Sequence, residues 1–392
     1  MDESRSNWRT VRFGDVVRNV KIDVDPETSG LERYIAGEHM DTDNLRIHRW
    51  GTIGDGYLGP AFHRKFVSGQ VLYGSRRTYL RKVAVADFDG ICANTTFVLE
   101  PNGDELLPEL LPFIMQADAF NEHSIKQSRG SVNPYINWSD LVWYAFPLPP
   151  LDEQRRIAEI LWAAEDEREA FETLLMSLGQ FSEVLSRRLF AESTDPRTIF
   201  GQLVLDGVLE FQTGPFGTVL KAASYVSEGT PIINPVNMKD GRFVTDSGPF
   251  LSREECDRLA KYRLKTGDIV LGRKGDVGRG VYATDEYAGY ILGSDCIRLR
   301  FSGERMLPKY VFGFLISSLA RSWIAHHAAG TTMPGINEPL LARMEIPTPA
   351  LEVQTEIVST LGALARAREV IQRKIATSLS LKKAMIDRLL WR

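Results

Sequence analysis

The stretch Gly130–Leu161, GSVNPYINWSDLVWYAFPLPPLDEQRRIAEIL, returns 200 residues later as Gly330–Leu361, GTTMPGINEPLLARMEIPTPALEVQTEIVSTL. Without a gap, Gly130, Pro134, Ile136, Asn137, Leu141, Pro147, Pro149, Leu151, Gln154, Ile157 and Leu161 recur as Gly330, Pro334, Ile336, Asn337, Leu341, Pro347, Pro349, Leu351, Gln354, Ile357 and Leu361. Solenoid repeats have periods of roughly 20–50 residues, so a period this long marks a duplicated module. Each copy reads as a globular domain ending in a proline-rich hinge and a helix. Proline fixes φ and stops a strand or helix from running through, so Pro147-Leu148-Pro149-Pro150 and Pro347-Thr348-Pro349 divide domain from helix. Leu151 and Leu351 then start the helices, with Asp152, Glu153 and Glu352 in the first turn, where acids suit the helix dipole. Asn137 and Asn337 read as caps of the short turns before Leu141 and Leu341.

Upstream of the hinge the two copies share an order of elements. Short β-like runs, Gln70–Tyr73, Val83–Ala86 and Thr96–Leu99, are broken by turn residues at Gly54-Asp55-Gly56, Gly74 and Asp89-Gly90. A helical stretch, Pro108 to Phe120, leads into the Gly130 motif. In the second copy Phe200-Gly201 answers Phe13-Gly14, Gly267–Gly272 answers Gly69–Gly74, and Pro308 opens a helix as Pro108 does. The expected fold is α+β: two globular domains, mostly β with some helices, and two long helices pairing as a coiled coil around an internal pseudo-two-fold repeat. The expected boundaries are 1–150, 151–195 (central helix), 196–349 and 350–392 (distal helix).

Downstream of each hinge the apolar period changes to seven. Ile157, Ala164, Phe171, Leu178 and Leu185 form one row, and Leu161, Leu175 and Leu189 a second, with Arg168 and Ser182 as its polar members. The second copy gives Ile357, Leu364, Ile371, Ser378 and Met385, with Leu361, Ile375 and Leu389 on the other row. Heptads sustained over several repeats indicate a coiled coil. Residues 151–192 carry ten acidic and five basic side chains (net −5), whereas residues 351–392 carry four acidic and eight basic (net +4). Unlike charges beside an apolar seam favour pairing of the two helices with each other; helices packed each on its own domain are the alternative. Arg168 and Arg368 hold equivalent seam positions, where a polar residue fixes register.

Composition and motif content exclude several classes. No run approaches the ~18 apolar residues of a membrane span, and the start MDESRSNWRT lacks the apolar core of a secretory signal. Cys92, Cys256 and Cys296 have no CxxC spacing, so a reduced, cytoplasmic protein without a metal site is expected. There is no GxxxxGK[ST], and Gly272–Gly280 does not follow the dinucleotide pattern. Asn133-Pro134-Tyr135 and Asn234-Pro235-Val236 lack the second proline of an amino-methyltransferase loop. No lysine has an acid two positions before it, so a [DE]xK nuclease signature is absent. His326-His327 has no acid or cysteine at ligand spacing and reads as a surface or packing feature. No catalytic residue is expected.

What remains are loops suited to DNA. Gly74-Ser75-Arg76-Arg77-Thr78-Tyr79 follows a strand, and Gly272-Arg273-Lys274-Gly275 follows its counterpart, with Arg279 just beyond. Glycine lets backbone approach a duplex, and arginine binds phosphate or a guanine edge in bidentate fashion. A solvated hairpin tip is the competing reading of each loop; recurrence in both copies favours contact. Likewise Arg129, Ser131 and Asn133 place polar groups just before Pro134 and Tyr135 one just after it, as Thr331 and Thr332 do before Pro334 in the second copy. Phosphate contact and simple capping of the next turn suit them equally. The net charge of −4 is not that of an independent DNA binder, so positive surface must be local or supplied by a partner.

The motif PLPPLDEQRRIAEIL followed by a long heptad helix, twice in one chain, closely resembles the specificity subunit of type I restriction-modification systems. Thr213-Gly214-Pro215-Phe216-Gly217, Gly267–Leu271 and Gly330-Thr331-Thr332 add to the resemblance, which covers essentially the whole chain. The second hinge departs from the first at Ala350 and Val353, where the first has Pro150 and Glu153. The resemblance implies a non-catalytic DNA-specificity subunit in which each domain reads one half of a bipartite site in double-stranded DNA. It implies that the helix pair acts as a spacer and docks two methyltransferase subunits, with nuclease-translocase subunits joining. S-adenosylmethionine, ATP and Mg would belong to those partners, with no cofactor in this chain. An enzyme fused to one reader is disfavoured by the missing signatures; a duplicated coiled-coil DNA-binding adaptor of another defence system is the remaining alternative.

Overall fold

The computed structural model describes residues 7–217, 219–246, 248–274, 278–328 and 335–391. The chain forms two compact units, Met1–Thr173 with Ile371–Arg392, and Leu174–Val370. Compaction therefore cuts both long helices, central Leu151–Ser186 and distal Leu351–Leu390, rather than separating them from the domains. Each unit holds one globular domain and a length of each helix.

In the first unit two four-stranded sheets form the domain. One has the order 17–19, 96–101, 71–74, 83–85, and the other 51–52, 33–35, 90–93, 62–66. Only the pair 33–35 with 90–93 is parallel. Val71–Gly74 reads as a continuous apolar run because both of its faces are buried. Val71 and Tyr73 enter the larger core while Leu72 enters a second one with Ile35, Cys92 and Val98. The second unit repeats this scheme: Ile269 and Leu271 enter one core and Val270 the other. In each unit a two-stranded antiparallel ribbon, Arg9–Arg12 with Ala145–Leu148 and Arg197–Ile199 with Glu345–Pro347, brings the domain's start beside its hinge.

The expected helix from Pro108 is shorter than its sequence suggested. Helix begins at Leu111 and breaks at Ala117, which is extended, before Asp118–Gln127. In the second copy Pro308 does open its helix, Pro308–Leu315. Asn337 caps as expected, its side chain accepting from Leu340 N at 2.8 Å. Asn137 occupies the cap position, but its side chain donates instead to Asp140 at 3.2 Å.

The hinges owe their shape to a glutamine that recurs in both copies. Gln154, 1 % exposed, accepts from Leu107 N (2.9 Å) and donates to Glu105 O and Pro149 O (both 2.8 Å). Gln354, 0 % exposed, accepts from Leu307 N (2.8 Å) and donates to Arg305 O (3.1 Å) and Pro349 O (2.9 Å). One carboxamide thus satisfies both the hinge and a domain loop, which fixes the angle at which each helix leaves its domain.

The helix seam is split. Ile157 and Leu161 lie in the core of the first domain with Ile386 and Leu390, and Met385 and Leu389 pack against that core. Ile357 lies in the core of the second, with Leu189 and Leu361 against it. Burying an aliphatic side chain contributes roughly 1.5–3 kcal/mol, so these helix ends are anchored on the domains and not only on each other. Between the anchors Ile371 is buried and Ala164, Phe171, Leu175, Leu178, Leu185, Leu364 and Ile375 are half-buried. Within the first unit Lys382 meets Glu165 and Lys374 lies over Phe171, so numbers fall on one helix as they rise on the other: the pairing is antiparallel. The expected equivalence of Arg168 and Arg368 fails, since Arg168 is 4 % exposed and Arg368 lies at the surface.

Candidate nucleic-acid interface

The two loops singled out in the first copy, 55 residues apart in sequence, are woven into one surface. Strand 71–74 delivers Ser75, whose N–H and hydroxyl both donate to Thr95 O (3.1 and 2.6 Å). Ile136 N donates to Ser75 O (3.0 Å) and Arg77 N to Pro134 O (2.6 Å). Arg129 and Tyr135 exchange backbone hydrogen bonds of 2.8 and 2.9 Å. Arg77 adopts φ +52°, a left-handed conformation disfavoured for a side-chain-bearing residue, and its Nε donates to Asn133 Oδ1 at 2.9 Å.

Arg76, Arg77, Tyr79, Arg129, Ser131, Asn133 and Tyr135 are all exposed. Arg76 has no hydrogen-bond or ion-pair partner among the described residues, while Arg129 pairs with Asp140 at 3.2 Å. Arg76 borders a cleft of about 710 Å³ whose lining includes Lys21, Arg64, Asn94, Tyr135 and Trp138 and no carboxylate. Lys21 and Arg76 give the cleft a positive lining, while Arg64 is already paired with Asp23 at 3.0 Å. Thr78 departs from expectation. It is 2 % exposed with its hydroxyl unpartnered, because it opens the short turn Thr78–Leu80 facing inward. Its hydroxyl does not reach the surface of this structure, where the expected contact with DNA requires it.

The second copy has the same weave with other side chains. Arg273 N donates to Asp295 O (2.8 Å) and Ile336 N to Arg273 O (3.0 Å), so Arg273 stands where Ser75 stands. That position turns inward, and the Arg273 guanidinium is spent on Ile336 O (3.1 Å), Ser294 O (3.4 Å) and the Phe216 ring (5.4 Å). Arg273 therefore braces the loop, contrary to its expected role at the DNA. Lys274, the counterpart of Arg76, is exposed and pairs with Asp295 at 2.9 Å. Arg279 is half-buried and donates to Met238 O at 3.0 Å, which also makes it a brace. Thr331 and Thr332 lie outside the described residues. Gly214 of the TGPFG stretch is required by packing: a Cβ there would lie 1.8 Å from Gly293 O.

The Cys92 and Cys296 thiols are unsuited to nucleophilic chemistry at neutral pH. Burial pushes Cys92 up to about 12, and Cys296 rises further for the same reason.

These features match known proteins over their whole extent. The sequence profile of the type I restriction modification DNA specificity domain fits twice, at residues 6–173 and 204–379. The chain belongs to that family. It is 22 % identical over 419 residues to the type I restriction enzyme MjaVIII specificity subunit of Methanocaldococcus jannaschii, spanning 98 % of this chain and 92 % of the relative. It is 30 % identical over 156 residues to the EcoDI specificity subunit of Escherichia coli, spanning 39 % of this chain and 33 % of the relative. Among solved structures, the S subunit of a type I system from M. genitalium superposes with a TM-score of 0.62 at 13 % identity over 100 % of this chain and 98 % of that one. A structure from work on assembly and conformational transition of a type I system also gives 0.62, at 19 % identity over 99 % of both chains. The protein is a type I specificity subunit, a DNA-recognition component that is not itself a catalyst.

Proposed function

We propose that each unit reads one half of a bipartite site in double-stranded DNA. The observation that carries this is the repeated weave: one backbone frame presents Arg76, Arg77 and Tyr79 with Asn133 and Tyr135 in the first copy, and Lys274 in the second. A common frame with unlike exposed side chains is what two readers of unlike half-sites require, because base edges are distinguished by side chains and not by backbone. The paired helices act as the spacer between half-sites and as the dock for two methyltransferase subunits, which bring S-adenosylmethionine. Nuclease-translocase subunits bring ATP and Mg. The net charge of −4 supports such an assembly, since phosphate neutralisation then falls largely to the partners. The site of action is the cytoplasm; among the described residues no helix is long and apolar enough to cross a membrane.

The test is methylome sequencing of cells carrying the system, with the natural chain and with Arg76→Ala/Arg77→Ala. The natural chain yields a two-part methylated motif, and the variant relaxes or changes one half only. A single continuous motif, or equal change in both halves, refutes the assignment.

A further inference from the structure

Behind the reading turn of the first unit lies a charged network that does not recur among the described residues of the second. Arg81 closes the turn Thr78–Leu80, its N–H donating to Thr78 O at 3.0 Å. Its guanidinium reaches Asp43 Oδ1 (2.6 Å), Asp118 Oδ1 (2.6 Å) and Gln116 O (2.5 Å). Asp43 also faces the distal helix: Lys383 Nζ lies 2.9 Å from its Oδ2, and Lys382 Nζ donates to its backbone oxygen at 3.2 Å. Lys382, 1 % exposed, pairs with the fully buried Glu165 of the central helix at 2.6 Å. Glu165 in turn accepts from Leu45 N at 3.1 Å and from Arg168 at 2.7 Å, and Arg168 donates to Asn44 at 2.7 Å. One continuous set of bonds thus runs from the reading turn through residues 43–45 to both helices.

Two features make this more than ordinary packing. Asp43 (φ +54°), Arg77 (φ +52°) and Arg81 (φ +50°) are three of the four non-glycine residues with positive φ among those described. Such conformations cost about 1–3 kcal/mol each and persist only where surroundings impose them. The repeat, moreover, does not preserve the network. Positions 200 removed from Glu165, Arg168 and Lys382 are Ala365, the exposed Arg368 and Ser182. Among the described residues an outer link recurs: Arg46 pairs with Glu169, and Arg242 with Glu369.

We propose that Asp43 is a positioning residue for the first half-site, holding the turn that carries Arg76, Arg77 and Tyr79 in register with the paired helices. This rests on the reading turn proposed above. Removing Asp43 uncouples Arg81 from the paired helices, leaving it Asp118 and Gln116 O, and loosens the register of the turn, so base discrimination weakens in one half of the motif alone.

The experiment compares methylomes from the full native system carrying the natural chain, Asp43→Ala, Asp43→Asn, Lys383→Ala or Arg76→Ala/Arg77→Ala. Asp43→Ala is expected to lower discrimination about tenfold, the scale of one lost charged hydrogen bond. The affected half is the one altered by Arg76→Ala/Arg77→Ala, with smaller shifts in the same half for Asp43→Asn and Lys383→Ala. These milder variants keep the test open if Asp43→Ala does not accumulate. An unchanged motif, or methylation lowered evenly with base preferences intact, overturns the hub, because a merely structural loss does not single out one half. If Arg76→Ala/Arg77→Ala is itself silent, the assignment of the turn is what fails, and the hub fails with it.

Discussion

Replacing Gln154 by alanine tests how the hinge is built. The substitution orphans three backbone groups held at 2.8–2.9 Å: Leu107 N, Glu105 O and Pro149 O. A buried group left unsatisfied costs about 1–3 kcal/mol, but a carbonyl has a second lone pair and reaches water more readily than an N–H. The stranded Leu107 N–H therefore carries most of the cost, and a total of about 2–4 kcal/mol is expected. A unit of 150–250 residues shifts its Tm by about 2–4 °C per kcal/mol, which gives a drop of roughly 5–15 °C in the transition of the first unit. Calorimetry resolves the transitions, and hydrogen exchange at Leu107 reports the lost bond directly. Gln354→Ala should do the same to the second unit at Leu307, and the double variant should lower both. A Gln154→Ala protein melting within a degree of the natural chain, or still protecting Leu107, would refute the reasoning.

Glu165→Gln should flatten the acid limb of stability. Burial pushes the Glu165 carboxyl up, but the Arg168 hydrogen bond and the Lys382 charge outweigh it and hold it below the usual range. A depressed folded value means the contribution is present above the unfolded pKa of about 4.3 and lost as pH falls through the lower folded one; unfolding followed from pH 7 to 2 checks this. At neutral pH, Glu165→Ala leaves Lys382 and Arg168 short of their buried partner and should destabilise by about 3–5 kcal/mol, read by denaturant titration. Thr78→Val should leave both motif halves unchanged, since its hydroxyl is buried; a changed methylome would return Thr78 to the interface. Inserting one heptad into both helices, after Thr173 and after Val370, lengthens each by about 10 Å. The spacer should grow by about three base pairs, at ~3.4 Å each, with the half-sites unchanged.

Some of this molecule is written plainly in its sequence. Hinges, long helices and central strands all follow local rules, proline geometry and apolar period, and they appear where the repeat places them. The loops proposed to read DNA can also be located in sequence, because a loop after a strand is a local feature. Their union through Arg77 N to Pro134 O cannot, because it joins segments whose proximity only the sheet creates. The bracing contacts of Arg273 are illegible for a related reason: the same weave turns that position inward, and nothing in a Gly-Arg-Lys-Gly string says which way its first cation points. Gln154 left a usable trace. It is a polar identity inside an otherwise apolar and proline repeat, and a surface residue would have had little reason to persist in both copies.

The buried charges show where the repeat stops being a guide. Heptad counting puts Lys382 on the same row as Leu361, Ile375 and Leu389, so a sequence argument can flag it as a polar seam residue. Its partners cannot be named that way, since they include Asp43 O, 339 residues distant, as well as Glu165. An ammonium this deep is tolerable only with an acid and a carbonyl already in place. If the two copies were interchangeable, Ser182 and Ala365 would be a lysine and a glutamate. Their absence means that the first domain adds a buried charged network to the apolar anchoring that both domains share, so the two ends of the helix pair are not equivalent. Asymmetry of that kind suits a subunit whose two readers meet different halves of one site.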